Sequence, residues 1–173
     1  MASVVFFRAA NVGGHQVFRP SALAKELADL DVVNIGAAGT FVVCKPIETD
    51  ALKRRIHAKL EFKPELIICS ARELMGLADD DPFRLAPRDP KVQRYITILS
   101  SAPSSSPVMP IEQPPGRNWE VRVLGVTGRF AASLCRRLGK GVTYPNPVCE
   151  KHLGVGGTTR NWNTILTVCE VLK

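Results

Sequence analysis

The chain is organised around a polar stretch near its C-terminal end, Gly154-Val155-Gly156-Gly157-Thr158-Thr159-Arg160-Asn161-Trp162-Asn163-Thr164-Ile165. The glycine-rich turn leads into a Thr-Thr pair, which predicts a helix start, because Thr side chains cap the free N–H groups of a first helical turn. Those N–H groups and the positive end of the helix dipole also bind anions. The stretch therefore predicts a helix entrance that faces an anionic group.

Arg160 favours that interpretation, since its guanidinium is a fork of donors suited to carboxylate or phosphate. The Gly-Gly pair before it would let the backbone adopt positive φ and approach a ligand closely. A structural interpretation is equally open. In that case the glycines make the turn, a threonine caps the helix, Trp162 packs, and Asn161 and Asn163 hold neighbouring loops.

Composition is that of an ordinary globular protein: 173 residues, of which 45% are hydrophobic, suit one domain or two small ones. No apolar run approaches the length of a membrane span, and the apolar start is interrupted by Arg8 and Asn11 without a basic leader or a clear cleavage site. We therefore expect a mature cytoplasmic protein with no membrane partner.

The cysteines form neither a disulfide framework nor a zinc pattern, because their number is odd and no C-x-x-C pair occurs. They are expected to be reduced and mostly buried. The three histidines are also scattered, so neither a metal site nor a cofactor is expected. The residues concerned are Cys44, Cys69, Cys135, Cys149, Cys169, His15, His57 and His152.

The net charge of +7 belongs entirely to the second half of the chain. Residues 1–86 hold 11 basic and 11 acidic side chains, whereas residues 87–173 hold 12 and 5. This asymmetry favours an anionic partner, either a phosphorylated ligand or nucleic acid, for the C-terminal half. A basic solvated surface is the alternative.

Hydrophobic periodicity in the first half predicts strand, helix, strand, strand, helix, strand. One helix pattern follows Pro20, with Leu23, Leu27 and Leu30 on one face. A second helix pattern begins at Thr49, which is predicted to be its cap. The strands are predicted at Ser3–Ala9, Asp31–Ile35, Thr40–Cys44 and Glu65–Ser70. This order is the split β-α-β plan of ferredoxin-like domains.

The second half repeats the pattern imperfectly. The predicted elements are a strand at Val92–Leu99, a hairpin of Trp119–Leu124 and Arg129–Arg136, a short helix at Val148–Leu153 and a last helix at Thr159–Leu172. A Pro/Ser-rich loop at 100–116, either a lid or disordered, stands where a first helix would belong. We therefore predict an α+β protein of two ferredoxin-like halves with antiparallel sheets, the second half degenerate, divided into residues 1–86 and 87–173.

Between the two halves, a short helix is predicted at Ala71–Leu77 and a solvated turn at Asp79-Asp80-Asp81-Pro82-Phe83. A triple aspartate can indicate a divalent-metal site. This one lacks the alternating ligand spacing and the glycine of a calcium loop, so no metal is assigned to it.

Two motifs resemble a bacterial family known as domain of unknown function 1697. The opening Phe7-Arg8-Ala9-Ala10-Asn11-Val12-Gly13-Gly14 is similar to its R-G-I-N-V-G-G, and Thr159-Arg160-Asn161-Trp162-Asn163-Thr164 to its T-x-R-N-W-N-T. Asp81-Pro82-Phe83 is similar to its N-P-F. The resemblance implies a two-part α+β fold with ferredoxin-like halves, and no established activity, substrate or cofactor.

The chain departs from the family pattern at several positions. Ala9 and Ala10 replace Gly-Ile, Ala38 and Thr40 replace Ser and Asn, and Cys69 stands where the family has an arginine. If those polar residues belong to a site, this chain has an altered version of it.

The first functional hypothesis is a binding module for an anionic ligand where the Asn11–Gly14 turn meets the Gly156–Asn163 helix entrance, with the hairpin arginines adding charge. Against nucleic acid, aromatic residues are only 6% and no RNA-recognition stacking signature occurs. The ligand-binding residues predicted are Arg8, Asn11, Gly13, Gly14, Thr159, Arg160, Asn161, Trp162 and Asn163.

Two other functions stay open. An enzyme acting on a small phosphorylated or carboxylated metabolite would draw its acid or base from dispersed loop residues, so no catalytic residue is assigned. Those candidates are His15, Tyr144, Cys149, Glu150 and His152. A structural or interaction protein without a small-molecule site is the third hypothesis, for which Arg160→Ala changes stability and no ligand affinity.

Overall fold

The apolar run at the start of the chain forms a central strand, β1, Ser3–Phe7, of a four-stranded antiparallel sheet. The computed structural model describes residues 1–8, 18–138 and 144–173, and within them it has two antiparallel sheets and five α-helices. The α+β class with antiparallel sheets, as predicted from the sequence, is confirmed.

Contacts divide the chain into a first unit, residues 1–76 with 166–173, and a second unit, residues 77–165. The first unit contains β1, the helix α1 (Pro20–Glu26), a 3₁₀ turn (Ala28–Leu30), β2 (Val32–Asn34), β3 (Thr40–Val43), α2 (Thr49–His57) and β4 (Leu66–Ser70). The element order predicted for residues 3–70 is therefore confirmed. The predicted division between residues 86 and 87 stays a prediction.

The four strands of the first unit lie in the order β2-β3-β1-β4. β1 pairs with both β3 and β4, which explains why nearly every position of it is buried. Val5 and Phe7 pack against Leu23 of α1, Leu27 at its C-terminal end and Leu52 of α2, as the leucine spacing predicted. Alternation along β1 thus places every second side chain in one core.

Four of the five strands of the second unit repeat this order. The five are β5 (Val92–Leu99), β6 (Ile111–Gln113), β7 (Val121–Thr127), β8 (Phe130–Arg136) and β9 (Gly157–Asn161), arranged β6-β7-β8-β5-β9. Without the short edge strand β6, the order β7-β8-β5-β9 corresponds to β2-β3-β1-β4. In the order of elements, most of the Pro/Ser-rich segment 100–116 takes the place that α1 has in the first unit. The helix α4 (Pro145–Leu153) takes the place of α2.

Two further helices complete the chain: α3 (Ala71–Asp80) and α5 (Trp162–Leu172). The unit division falls within both of them. α3 is longer than predicted, since Asp79 and Asp80 belong to its last turn and not to a loop.

Three local predictions are wrong. The cap of α2 is Glu48, whose carboxylate accepts the Ala51 N–H at 2.9 Å, because Thr49 already has helical backbone. The hairpin turn, predicted between Leu124 and Arg129, lies at Gly128, where φ is +58°. β7 continues to Thr127, with a shift in its pairing register between Val123 and Gly125. The last helix begins at Trp162, since the residues before it form a strand.

Candidate functional site

The predicted helix entrance is the edge strand β9. Thr158 and Thr159 pair with Ile98 and Thr97 of β5, so their backbone N–H groups belong to a strand and not to a first helical turn. β-branched threonine suits this pleated environment. The Asn161 side chain accepts the Asn163 N–H at 2.9 Å and so caps α5. The prediction that Thr158 or Thr159 caps the last helix is therefore wrong.

Gly157 also has a different role from the one predicted. It lies in β9 without positive φ, and a Cβ at this position would come within 2.9 Å of the Ile98 carbonyl oxygen and 3.0 Å of Thr97 Cγ2. The close approach that glycine permits here is to the neighbouring strand β5, not to a ligand.

Strand alternation places the predicted ligand residues on opposite faces of the second sheet. Gly157, Thr159 and Asn161 share the face on which α4 packs, since Thr159 donates to Asn146 Oδ1 of that helix at 3.1 Å. Thr158 and Arg160 point to the opposite face. The side chains of Thr159 and Asn161 therefore point away from that of Arg160.

Arg160 is buried, with 7% of its surface exposed. One of its terminal nitrogens, Nη1, donates to Thr158 Oγ1 at 2.8 Å and to the Thr159 carbonyl at 2.9 Å. Desolvation lowers the pKa of this guanidinium to about 10, so the side chain stays charged at neutral pH. Its role in ligand binding stays a prediction, and its burial favours the structural interpretation.

Trp162 and Asn163 open α5. The Trp162 ring packs edge-on against Phe83 at a centroid distance of 5.3 Å, and the Arg94 guanidinium lies 5.7 Å from the centre of the Phe83 ring. Both rings are buried, at 6% and 1% exposed. These aromatic groups therefore pack in the core and offer no surface to a ligand.

The remaining predicted residues belong to the first part of the chain. Arg8 forms a partly exposed ion pair with Glu65, with 2.6 Å between Nη1 and Oε2. Asn11, Gly13 and Gly14 lie outside the described residues. The predicted meeting point of that turn with the C-terminal motif stays a prediction.

On the α4 face, hydroxyl and thiol groups form a chain of hydrogen bonds. Thr97 and Thr159 lie 2.8 Å apart between their Oγ1 atoms, and Cys149 Sγ is 3.9 Å from Ser133 Oγ. Burial raises the pKa of the Cys149 thiol, and hydrogen bonds from Thr97 and Ser133 only partly offset that effect. Burial likewise raises the pKa of Cys135 to about 12. Thiols of this kind stay protonated and unreactive.

Three of the other acid or base candidates lie in α4 or at its start. Glu150 Oε1 accepts the Gly157 N–H at 2.8 Å, and the His152 carbonyl accepts from Ser105 at 2.5 Å. Tyr144 is 57% exposed, and His15 lies outside the described residues. Within residues 1–8, 18–138 and 144–173, no three His, Cys, Asp or Glu side chains come together as metal ligands.

Strand register produces a feature that the sequence did not reveal, a concentration of positive charge at one end of the second sheet. Val92 pairs with Arg136, and Val121 with Cys135, so β5 begins, β7 begins and β8 ends at the same place. There, on the sheet face opposite α4, lie Arg94, Arg122 and Arg136. In all, six basic side chains belong to this end, against three carboxylates, Asp89, Glu112 and Glu120. We call this group the basic end; it consists of Lys91, Arg94, Arg117, Arg122, Arg136 and Arg137.

Two arginines of the basic end are held on Trp119. The guanidinium carbons of Arg122 and Arg136 lie 4.3 and 4.1 Å from the centre of its ring. Arg122 also pairs with Glu112 at 2.6 Å, and Arg136 donates to the carbonyls of Trp119 and Arg117. The hydrogen bond from the Gly116 N–H, and then that from the Arg122 guanidinium, hold the pKa of Glu112 below its usual value. These charges are fixed in position.

A groove of about 450 Å³ lies elsewhere in the second unit, with Asp80, Asp81 and Arg84 on its rim. Asp81 has φ of +36°, a left-handed conformation, and its Oδ1 accepts the Phe83 N–H at 3.0 Å. Asn and Asp tolerate that conformation better than other residues with a Cβ. This explains why either residue fits at the start of an N-P-F or D-P-F turn.

Asp81→Asn is therefore expected to leave the free energy of unfolding within about 0.5 kcal/mol of wild type, because the turn and its hydrogen bond persist. Asp81→Ala loses the bond and adds strain at positive φ, so it should destabilise by about 1–2 kcal/mol. Urea unfolding of both variants measures the difference. Equal stability of the two variants would contradict this account of the turn.

Comparisons with known proteins agree with the resemblance noted in the sequence. The family described as "Protein of unknown function (DUF1697)" matches residues 1–127. The match includes the opening motif and Asp81-Pro82-Phe83, and ends before the C-terminal motif at 159–164. A search of the curated proteins found no match.

Among solved structures, the chain is similar to the conserved bacterial protein SP0830 from Streptococcus pneumoniae. The two share 14% sequence identity over 99% of this chain and 98% of that one, with a TM-score of 0.59. At this identity the likeness concerns the fold alone. No helix that the structure describes is both long and apolar enough to cross a membrane. By its sequence match over residues 1–127, the chain belongs to the DUF1697 family of proteins of unknown function.

Proposed function

We propose that this protein binds an anionic ligand, a phosphorylated compound or nucleic acid, at the basic end of the second sheet. The observation that supports the proposal is the register of β5, β7 and β8, which places six basic side chains and only three carboxylates at or beside one end of the sheet. A surface of one charge sign raises the local concentration of counter-charged ligands and speeds their association. This site replaces the predicted helix entrance as the place where an anion binds.

The members of the basic end have two roles in this proposal. Arg136 is fixed on Trp119 and donates only to backbone carbonyls, so it supplies a steady positive field, whereas the charge of Arg122 is paired with Glu112. Lys91 and Arg137 are exposed, and neither forms an ion pair with a carboxylate among the described residues. We assign direct contact with the ligand to these two side chains.

Binding is favoured over catalysis by the state of the acid and base candidates. Cys149 is buried with a raised pKa, and Glu150 accepts a backbone N–H of β9. An enzyme needs such groups beside its substrate. The five cysteines are free thiols, which fits the reducing environment of a cytoplasmic protein.

Fluorescence anisotropy with a labelled 12-nucleotide mixed-sequence DNA strand, and competition by inorganic pyrophosphate, tests the proposal. The double variant Lys91→Ala/Arg137→Ala should weaken binding about tenfold or more, which is about 1.4 kcal/mol. Lys151→Ala is the matched control. It removes an exposed positive charge near the far end of the sheet, where the Leu153 carbonyl accepts the Ser104 N–H at 3.0 Å.

The control variant should bind as the wild type does. Three outcomes would contradict the proposal: no binding of either probe by the wild type, no effect of the double variant, or an equal loss in Lys151→Ala. Circular dichroism of each variant checks that the fold is retained.

A further inference from the structure

We infer that the ligand of the basic end is a single-stranded nucleic acid and that Tyr144 stacks on one of its bases. This inference rests on the proposed function, and it specifies the ligand of the same site. It is carried by the position of an exposed aromatic ring beside exposed cations, the combination with which proteins bind single strands.

The first step is the position of Tyr144. Asn146, in the first turn of α4, accepts a hydrogen bond from Thr159 of β9 at 3.1 Å. Asn161 lies two residues further along β9 on the same face, directly opposite Tyr95 of β5. Tyr144, two residues before Asn146, is the N-cap of α4. The beginning of α4 therefore places Tyr144 beside Tyr95 and Asn161.

The second step connects this ring to the basic end. Gln93 and Tyr95 share the α4 face with Cys135 and Ser133, their register partners on β8. Alternation continues that face to Arg137, immediately beyond the last paired residue of β8, whereas Lys91 lies in the turn before Val92, where the Asp89 carbonyl accepts the Val92 N–H at 3.0 Å. Electrostatic interaction of the Tyr95 hydroxyl with both Tyr144 and Arg137 agrees with their closeness. The ring and Arg137 thus lie on one face, and Lys91 lies at the same end of the sheet, next to Val92.

The third step is the availability of the ring. Tyr144 is 57% exposed, whereas Trp119, Phe83 and Trp162 are each at most 7% exposed. Tyr95 is partly buried and its hydroxyl donates to Gln93 at 2.6 Å. In the part of the second unit that the structure describes, Tyr144 is therefore the aromatic side chain free to receive a base.

The chemistry of these groups favours a single strand. A duplex keeps the faces of its bases inside the stack, where Tyr144 cannot reach them, while a single strand presents both phosphates and base faces. Gln93 Oε1 and Asn161 Oδ1 already accept hydrogen bonds from the Tyr95 hydroxyl and the Asn163 N–H, and stacking on a ring tolerates any base. We therefore expect binding that tolerates many sequences.

Anisotropy with three probes tests the inference: a 12-nucleotide mixed-sequence strand, an abasic strand of equal length, and the corresponding duplex. Tyr144→Ala should weaken binding of the mixed-sequence strand by about 5-fold to 150-fold, the range of about 1–3 kcal/mol per stacked base. It should leave binding of the abasic strand unchanged. Tyr144→Phe keeps the ring and should retain most of the affinity.

Binding of the abasic strand also reports whether Tyr144→Ala is folded, since the basic end must be intact for it. Equal losses for the mixed-sequence and abasic strands, or no loss for either, would overturn the inference and leave anion binding standing. A wild-type protein that binds no probe would overturn the proposed function itself.

Discussion

Replacing Arg160 by alanine is expected to lower the free energy of unfolding by about 3–5 kcal/mol. The side chain is 7% exposed, and its guanidinium donates to Thr158 Oγ1 and the Thr159 carbonyl. Alanine leaves a cavity where the stem packed and removes the donor from two oxygen atoms that have little access to water. Urea unfolding followed by circular dichroism measures the change.

Arg137→Ala is the control for this experiment, because it removes an exposed arginine from the same half of the chain. Its effect should stay within about 0.5 kcal/mol. At a temperature where Arg160→Ala remains folded, that variant should bind the mixed-sequence strand as the wild type does. An unchanged stability of Arg160→Ala, or a loss of affinity without a loss of stability, would contradict the structural role.

Gly157→Ala is expected to destabilise the protein by about 1–3 kcal/mol. The added methyl group would come within 2.9 Å of the Ile98 carbonyl oxygen and 3.0 Å of Thr97 Cγ2, so strands β5 and β9 must separate slightly. Thr97 itself lies in the buried hydrogen-bonded chain with Thr159. The strain therefore affects the pairing of β5 with β9, which positions the start of α4.

Gly125→Ala is the matched control for Gly157→Ala. Gly125 also lies in a strand of the second sheet, but nothing lies within 4 Å of a Cβ added there. The free energy of unfolding of Gly125→Ala should differ from that of the wild type by less than about 0.5 kcal/mol or be slightly higher, since alanine restricts the unfolded chain. If both glycine variants lose equal stability, close strand contact is not the reason for glycine at position 157.

Local patterns in the sequence were sufficient for most of the fold. β5 has the bounds Val92–Leu99 that its apolar run predicted, and Leu23 and Leu27 pack on the first sheet as their spacing required. Periodicity and apolar runs report burial directly, so elements with a strong pattern are readable from the chain.

β9 could not be read in this way. Gly-Gly-Thr-Thr has the composition of a turn and a helix cap, and its strand conformation depends on pairing with β5 about 60 residues earlier. Such pairing overrides the local preference and has no local signal. The prediction of an anion site at this stretch depended on a helix entrance at Thr158-Thr159, whereas the helix begins at Trp162; the site itself stays a prediction.

The sequence indicated only part of the basic end. The charge excess of residues 87–173 pointed to the second half, and the hairpin arginines were among the residues considered. The sequence did not show the register that pairs Val92 with Arg136. That register brings Lys91 and Arg94 to the same end of the sheet as the hairpin arginines. Trp119 holds Arg122 and Arg136 through that same register, and no spacing along the chain indicates it.

The salt dependence of oligonucleotide binding tests anion binding at the basic end most directly. For a single strand, the logarithm of the association constant falls with the logarithm of salt concentration with a slope of about −0.7 per phosphate neutralised. Lys91→Ala/Arg137→Ala should therefore reduce the steepness of the slope by about 1.4, and Lys151→Ala should leave it unchanged. A slope that is the same in the wild type and the double variant would contradict the account.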